Sequence, residues 1–90
     1  MATAISIFDT MSALSDVTRC RMLLVLERHE LAVSELCAVL QMPQSTVSRH
    51  LKTLGDERWV VSRADGPSRL YSMAADRLEP AEKRLWTLVR

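Results

Sequence analysis

Residues 44–56 combine an apolar stripe with hydrogen-bonding groups on the opposite side. Val47, Leu51 and Leu54 recur at helical spacing, which predicts a helix anchored to a core by one narrow face. At about 100° per residue, the other side and the helix start carry amide, hydroxyl and cationic groups, from Gln44, Ser45, Thr46, Ser48, Arg49 and Lys52. Arginine can bind guanine through two hydrogen bonds and glutamine can bind adenine, while hydroxyl groups suit phosphate oxygens. The segment therefore predicts a helix that enters the major groove of double-stranded DNA.

Three further helices are expected before this one. The first, of about three turns, follows from the spacing of Ile5, Phe8, Met11 and Leu14. Ser15 or Asp16 can cap a second helix, from Asp16 to about Arg28, whose apolar residues we expect to be mostly buried: Val17, Leu23, Leu24, Val25 and Leu26. A third helix, from about Val33 to Leu40, should direct inward Leu36, Val39 and Leu40. Pro43 then fits the start of the fourth helix, which runs from about Gln44 to Asp56.

The hydrophobic period changes after the fourth helix. Trp59, Val60 and Val61 are strand-like, Asp65-Gly66 is a turn signal, and Arg69 to Met73 returns as a second strand. A last helix starts near Pro80, and its seam is typical of a helix that packs on a partner helix: Leu78, Ala81, Leu85 and Leu88. Four helices, a β-hairpin and a helix describe a mainly α fold with a β-hairpin wing, a winged helix-turn-helix, as one domain over residues 1–90.

The basic residues have an alternative interpretation as ordinary solvated charges. For an isolated helix that interpretation of Arg49 and Lys52 would be favoured. The helix-turn-helix and the hairpin reverse the preference, because the hairpin places Arg63 and Arg69 on the same half of the chain as these cations. Ser68 is a further candidate DNA contact in the hairpin. His50 lies near the core side of the fourth helix, so we expect a packed structural histidine and not a base contact.

The bulk composition sets limits on the function. The net charge of +1 gives no overall attraction to nucleic acid, so the position of the cations must carry the DNA hypothesis. No apolar stretch is long enough to cross a bilayer and no signal peptide is recognisable, which predicts a cytoplasmic protein without membrane contact. No catalytic set or phosphate-binding loop is evident, so we expect no enzyme and no cofactor.

Three segments together resemble the ArsR/SmtB family of winged-helix repressors. They are Ala13-Leu-Ser-Asp-Val-Thr-Arg, Ser34-Glu-Leu-Cys and Gln44-Ser-Thr-Val-Ser-Arg-His-Leu-Lys-Thr-Leu, and the resemblance extends from about residue 8 to residue 73. It implies a homodimer formed through the first and last helices, residues 1–14 and 78–90, with an interface that includes Ile5, Phe8, Met11, Leu78, Leu85 and Leu88. It also implies that the fourth helix reads DNA and that the hairpin is the wing.

The chain departs from this family at three places. Ala32 and Ser34 stand where thiolate-type metal sensors have cysteines, and no histidine follows His50, so we expect no metal site. Cys20 and Cys37 are interpreted as inert core thiols, the alternative being a redox switch. Arg58 stands where the family usually has glycine after the fourth helix, so we expect that helix to end differently or slightly early.

These observations predict a repressor that binds an inverted-repeat operator as a homodimer, with an effector that the residues do not identify. The alternative is a dimerisation or protein-interaction domain. The chain ends in mid-pattern at Leu88-Val89-Arg90, which indicates a piece of a longer polypeptide or a helix that stops abruptly. Residues 78–86 are similar to a junction found where such domains precede a methyltransferase domain, so the N-terminal part of such a fusion is one form of the alternative.

Overall fold

The computed structural model describes the backbone of residues 4–90 and the side chains of residues 8–90. The elements follow in the order α1 (Ala4–Ala13), α2 (Val17–Leu26), β1 (Leu31–Ala32), α3 (Val33–Leu40), α4 (Gln44–Asp56), β2 (Val60–Asp65), β3 (Ser68–Met73), a 3₁₀ turn (Ala75–Arg77) and α5 (Pro80–Val89). The predicted winged helix-turn-helix is confirmed. Two short elements, β1 and the 3₁₀ turn, are additions to the predicted order.

The wing is part of a three-stranded antiparallel sheet in the order β1-β3-β2. Strands β2 and β3 pair along their whole length, from Val60↔Met73 to Asp65↔Ser68, around the turn at Gly66. Strand β1 contributes only Leu31↔Tyr71 and Ala32↔Leu70. A two-residue strand has no measurable alternation, which is why no pattern predicts it.

The core forms where α2, α3 and α4 pack together and against the base of the hairpin. The three predicted anchors of α4, Val47, Leu51 and Leu54, are at most 4 % exposed. Three residues expected to be buried are instead exposed: Val17 (76 %), Leu24 (43 %) and Val39 (54 %). Because successive helical residues point in different directions, a helix packed on one side cannot bury every member of a run such as residues 23–26. The buried side of α2 carries Met22, Leu23 and Leu26.

The last helix is attached to the end of α2 by polar contacts as well as by packing. Trp86 is 4 % exposed and lies beside Trp59, with ring centroids 6.4 Å apart. One carboxylate oxygen of Glu27 accepts from the Trp86 indole at 3.1 Å and from the Arg90 guanidinium at 2.6 Å. These contacts fix the orientation of α5 relative to α2.

Helix α4 ends with Arg58 in the left-handed conformation, at a φ of 67°. The Arg58 amide donates to the Gly55 carbonyl at 3.1 Å and the Trp59 amide donates to the Leu54 carbonyl at 2.8 Å, as in a glycine-terminated helix. The different ending that we expected is therefore wrong. A non-glycine residue there costs about 1 kcal/mol, and the burial of the adjacent Trp59, which is 0 % exposed, offsets that cost.

Asp16 caps α2. The sequence offers Ser15 and Asp16 as the two candidates for this cap. Its Oδ1 accepts from the amides of Thr18 at 2.8 Å and Arg19 at 3.2 Å. Partial burial acts to raise the pKa of this carboxyl, but the two amide hydrogen bonds and nearby positive charge leave the pKa below its usual value. Because the folded-state pKa is depressed, the cap contributes stability above the usual aspartate pKa, and this contribution is lost as the pH falls through the folded-state value.

Replacing Asp16 by alanine should lower the free energy of unfolding by about 1 kcal/mol at neutral pH, because two helix amides lose their acceptor. The matched control is Asp16→Asn, which keeps a capping oxygen but does not titrate. Urea unfolding at about pH 7 and at a series of pH values down to about pH 2 measures both effects: the parent should lose the cap contribution progressively as the pH falls, and Asp16→Asn should keep it. An alanine variant as stable as the parent at neutral pH would contradict this role.

Candidate DNA interface

Helix α4 exposes the polar side that its sequence predicts. The side chains of Gln44, Ser45, Ser48, Arg49 and Lys52 are exposed and that of Thr46 is half-buried. The opposite side of the helix is buried through Val47, His50, Leu51 and Leu54. The predicted contact groups therefore lie together on a helix whose orientation is set by core packing.

The start of α4 has no side-chain cap. Pro43 occupies the N-cap position, and the first amide to find a helical acceptor is that of Val47, which donates to the Pro43 carbonyl at 3.1 Å. The preceding amides, of Gln44, Ser45 and Thr46, lie at the positive end of the helix dipole. Together with two serine hydroxyls, this end of the helix presents donors that suit phosphate oxygens.

Of the two cationic side chains on α4, one forms an ion pair and the other does not. Lys52 pairs with Asp56 one turn later at 3.2 Å, with side chains 77 % and 61 % exposed. Such an exposed pair contributes little free energy, so a phosphate can displace the carboxylate. Within the described part of the chain, the Arg49 guanidinium has no hydrogen-bond or ion-pair partner. Arg49 is thus the cation on this helix that is free for a base or phosphate.

The two wing arginines lie on opposite faces of the hairpin. Arg63 pairs with Leu70 and Arg69 pairs with Ala64, and neighbouring cross-strand pairs project to alternate faces of a sheet. Arg69 shares its face with the buried pair Val60↔Met73 and donates to the Ser62 hydroxyl at 3.2 Å. The sequence does not decide this division, because it depends on the register. Ser68 is exposed at the start of β3.

Arg63 is already engaged by a carboxylate. Its Nε and Nη2 donate to the two oxygens of Glu30, just before β1, at 2.8 and 2.7 Å. These hydrogen bonds lower the pKa of Glu30 and raise that of Arg63. A DNA phosphate that bound Arg63 would therefore have to compete with Glu30, a partner that sequence reasoning missed because it is 33 positions away along the chain.

His50 is packed in the interior, as expected, with 8 % of its surface exposed. Its Nδ1 lies 3.3 Å from Nη1 of Arg19, on α2. Sequence reasoning missed Arg19 as a partner of α4. The one available signal was its place in the capped segment Asp16-Val-Thr-Arg, one turn after the cap.

The residues expected at a dimer interface fall into three groups. Phe8 (66 %), Met11 (43 %) and Leu88 (83 %) are exposed, Leu85 is half-buried, and Leu78 is buried in the protomer core at 8 %. The side chain of Ile5 lies outside the described residues. A hollow of about 740 Å³ lies between α1, the end of α4 and α5, and Met11, Leu85 and Leu88 are among its lining residues.

The two cysteines are not paired with each other, and both are half-buried. Cys20 donates its thiol proton to the Leu14 carbonyl at 3.2 Å, and burial raises the pKa of this thiol. In residues 8–90 no group of three or more histidine, cysteine, aspartate or glutamate side chains could hold a metal ion. Among the described helices, none is both long and apolar enough to cross a membrane.

A helix-turn-helix formed by α3 and α4, with an exposed polar side on α4, followed by an antiparallel hairpin, is the arrangement of a winged helix-turn-helix domain. Residues 16–62 match the sequence model of the family described as bacterial regulatory protein, arsR family. The chain belongs to this family, so the predicted resemblance is confirmed. ArsR-family proteins are transcriptional regulators, and this chain carries their helix-turn-helix DNA-binding domain.

One curated relative is the transcriptional repressor SmtB homolog of Synechocystis sp. (strain ATCC 27184 / PCC 6803 / Kazusa). It is 40 % identical over 63 residues, which are 70 % of this chain and 48 % of that protein. The chain therefore spans about half the length of the curated relative that it matches.

Solved structures share the fold over nearly the whole chain. NolR from Sinorhizobium fredii has a TM-score of 0.82 at 25 % identity, covering 94 % of this chain and 81 % of that one. The domain Mb0332 (fragment 1–100) from Mycobacterium bovis, described as a homodimeric winged helix-turn-helix DNA-binding domain, has a TM-score of 0.80 at 25 % identity, with 99 % and 86 % covered. HlyU from Vibrio vulnificus CMCP6 has a TM-score of 0.74 at 29 % identity, with 97 % and 91 % covered.

Proposed function

We propose that this chain acts as a homodimeric repressor that binds an inverted-repeat operator through α4 and the hairpin β2–β3. The observation that carries the proposal is the division of α4 into a buried side and an exposed side with a partner-free Arg49. A helix held in this way presents its side chains in a defined direction, which base recognition requires.

Each predicted contact has a proposed role. The groove contacts are Gln44, Ser45, Thr46, Ser48 and Arg49, and Lys52 binds the DNA backbone. The wing contacts the backbone or the minor groove through Arg63, Ser68 and Arg69. Because Arg63 and Arg69 lie on opposite faces of the hairpin and Arg63 holds Glu30, Arg69 is the wing arginine that meets no competing carboxylate in the described residues.

Dimerisation is proposed to use α1 and α5, within residues 1–14 and 78–90. Phe8 and Met11 are one helical turn apart on α1, and both are exposed. Met11 and Leu88 line the same hollow, so the exposed apolar groups of the two helices adjoin each other. Apolar surface of this kind is what a partner copy would cover. The M. bovis domain, which has the same fold, is described as homodimeric, and this supports the proposal that the present chain forms a dimer.

We propose that the regulatory signal is not a metal ion bound at the family's usual positions. Ala32 and Ser34 replace the cysteines of the thiolate-type site, and no histidine follows His50. A tetrahedral zinc site takes about four nitrogen, sulfur or oxygen ligands. A cytoplasmic location is part of the proposal, since operator DNA is found there.

Selection of bound genomic fragments with the purified protein tests the function directly. The expected result is the recovery of fragments that share two half-sites about one helical turn apart, close to 34 Å. Gel-shift with these fragments and light scattering of the free protein then give the affinity and the oligomeric state. Failure to retain any fragment at low salt would contradict the proposal. It would favour the alternative function, a dimerisation or protein-interaction domain.

Replacing Arg49 by alanine should weaken operator binding by about 1–3 kcal/mol, which is between about 5-fold and 150-fold in Kd. The physical reason is the loss of a bidentate hydrogen bond from the arginine to a base, which water replaces only in part. Arg28→Ala, which removes the same charge from an exposed site beyond α2, is the matched control and should bind nearly as the parent does. Fluorescence anisotropy on the selected operator measures both variants. Equal affinity of Arg49→Ala and the parent would rule out the groove contact.

A further inference from the structure

The Arg19 side chain joins three helices of the domain. It belongs to α2 and is 16 % exposed. Its Nε donates to the Ala13 carbonyl at 2.7 Å and its Nη2 donates to the Ser12 carbonyl at 3.3 Å, both at the C-terminal end of α1. Its Nη1 lies 3.3 Å from Nδ1 of His50, on α4. One guanidinium therefore connects the end of α1 to the middle of the recognition helix.

The chemistry of these contacts is directional. A guanidinium is only a donor, so His50 must accept at Nδ1 and carry its ring proton on Nε2. The carbonyls at the end of a helix have no amide partners within the helix, and Arg19 supplies donors to two of them. The planar fork of an arginine can make these contacts simultaneously, whereas a lysine ammonium on its flexible stem is a single point charge. Asp16 partly balances the charge, with Oδ2 3.9 Å from Nη1.

His50 is adjacent to Arg49 on α4, one on the buried side and the other on the exposed side. A shift of the His50 backbone relative to α1 would therefore move the Arg49 backbone with it. In a dimer formed through α1 and α5, the separation of the two recognition helices depends on how each α4 is placed relative to its own α1. Base contacts tolerate little displacement, because hydrogen bonds weaken steeply with distance and angle.

We propose that Arg19 is a positioning residue for operator recognition, which holds α4 at the angle to α1 that lets both Arg49 side chains of a dimer reach their bases. This inference rests on the proposed function and adds to it a residue that does not touch DNA. Loss of the link should weaken specific binding, which depends on geometry, more than non-specific binding, which depends on charge.

Three variants test the proposal. Arg19→Met removes the donors and keeps an unbranched apolar stem, His50→Leu removes the acceptor, and His50→Asn keeps an acceptor oxygen close to the place of Nδ1. Anisotropy measures each protein on the selected operator and on a random duplex of equal length, at fixed salt and fixed pH. Light scattering and thermal unfolding accompany each variant.

Arg19→Met and His50→Leu should bind the operator about tenfold more weakly than the parent, which is the scale of one hydrogen bond to a charged group. Their affinity for the random duplex should change by less than about twofold, since the non-specific term depends on contacts to phosphate. His50→Asn should bind the operator nearly as the parent does, because it keeps an acceptor for the Arg19 guanidinium.

The proposal is overturned if His50→Leu binds the operator as His50→Asn does, or if a folded Arg19→Met binds it as the parent does. Should Arg19→Met fail to fold, the two His50 variants decide the question alone. A parent protein that cannot distinguish the operator from the random duplex contradicts the proposed function itself. That outcome is separate, because it is read from the parent.

Discussion

Replacing Phe8 by aspartate should convert the protein into a folded monomer that no longer retains operator DNA in a gel. Phe8 is 66 % exposed on α1, so the protomer core does not depend on it. Burying a phenylalanine side chain contributes about 1.5–3 kcal/mol. In a symmetric dimer the same substitution occurs on both sides of the interface, so the loss is counted twice. The dimer dissociation constant should rise by about 10²-fold to 10⁴-fold.

Operator affinity should fall together with dimerisation, because one protomer can occupy only one half-site. Linking two binding modules raises the overall affinity by about 10²–10⁴-fold, and the monomer loses this advantage. Sedimentation velocity over a range of concentrations measures the dimer constant, and anisotropy measures the DNA affinity. Val17→Asp is the matched control, since Val17 is also apolar and 76 % exposed but lies on α2. A dimeric Phe8→Asp protein would place the interface elsewhere.

Replacing Trp59 by alanine should lower the free energy of unfolding by about 3–5 kcal/mol. Trp59 is fully buried between α1, α4 and α5: its ring lies beside Trp86 and its indole donates to the Thr10 carbonyl at 3.2 Å. A domain of this size has a total stability of roughly 5–13 kcal/mol, so the variant should be close to the threshold of unfolding. The midpoint of thermal unfolding should fall by about 12–40 °C.

Trp59→Phe is the matched control for this prediction. It keeps an aromatic ring in the cavity but cannot donate to Thr10, so it should lose less stability than the alanine variant. Trp86 remains as a fluorescence probe in both proteins. Unfolding must be compared at one protein concentration, since association stabilises the folded state. Equal stability of the alanine and phenylalanine variants would contradict the packing role of the ring.

Helix α4 shows how far local signals reach. The bounds predicted from Pro43 and the apolar repeat, Gln44 and Asp56, are those observed. Val47, Leu51 and Leu54 are buried as predicted and the polar residues opposite them are largely exposed. A proline at the cap and a repeat of 3.6 residues are properties of the chain itself, so neighbouring residues are enough to read them.

Exposure on α2 and α3 shows where the same reasoning fails. Val17, Leu24 and Val39 are apolar and exposed, because each lies on a side of its helix that no other element covers within the described residues. Arg58 adopts a left-handed conformation that its residue type disfavours, since the buried Trp59 follows it. Local preference is worth about 1 kcal/mol per residue, whereas burial of a large side chain is worth several, so packing prevails in such conflicts.

The amino-acid sequence alone determined the order of the main elements, the bounds of α4 and the groups that α4 exposes. Each of these depends on residues that lie within a few turns of one another. The pairing of Arg63 with Glu30, the division of the wing arginines between two faces and the link from Arg19 to His50 arose only in the tertiary structure. The residues in the two side-chain pairs are 33 and 31 positions apart. Such contacts depend on strand register and helix packing, which are set by the whole core and have no local period to reveal them.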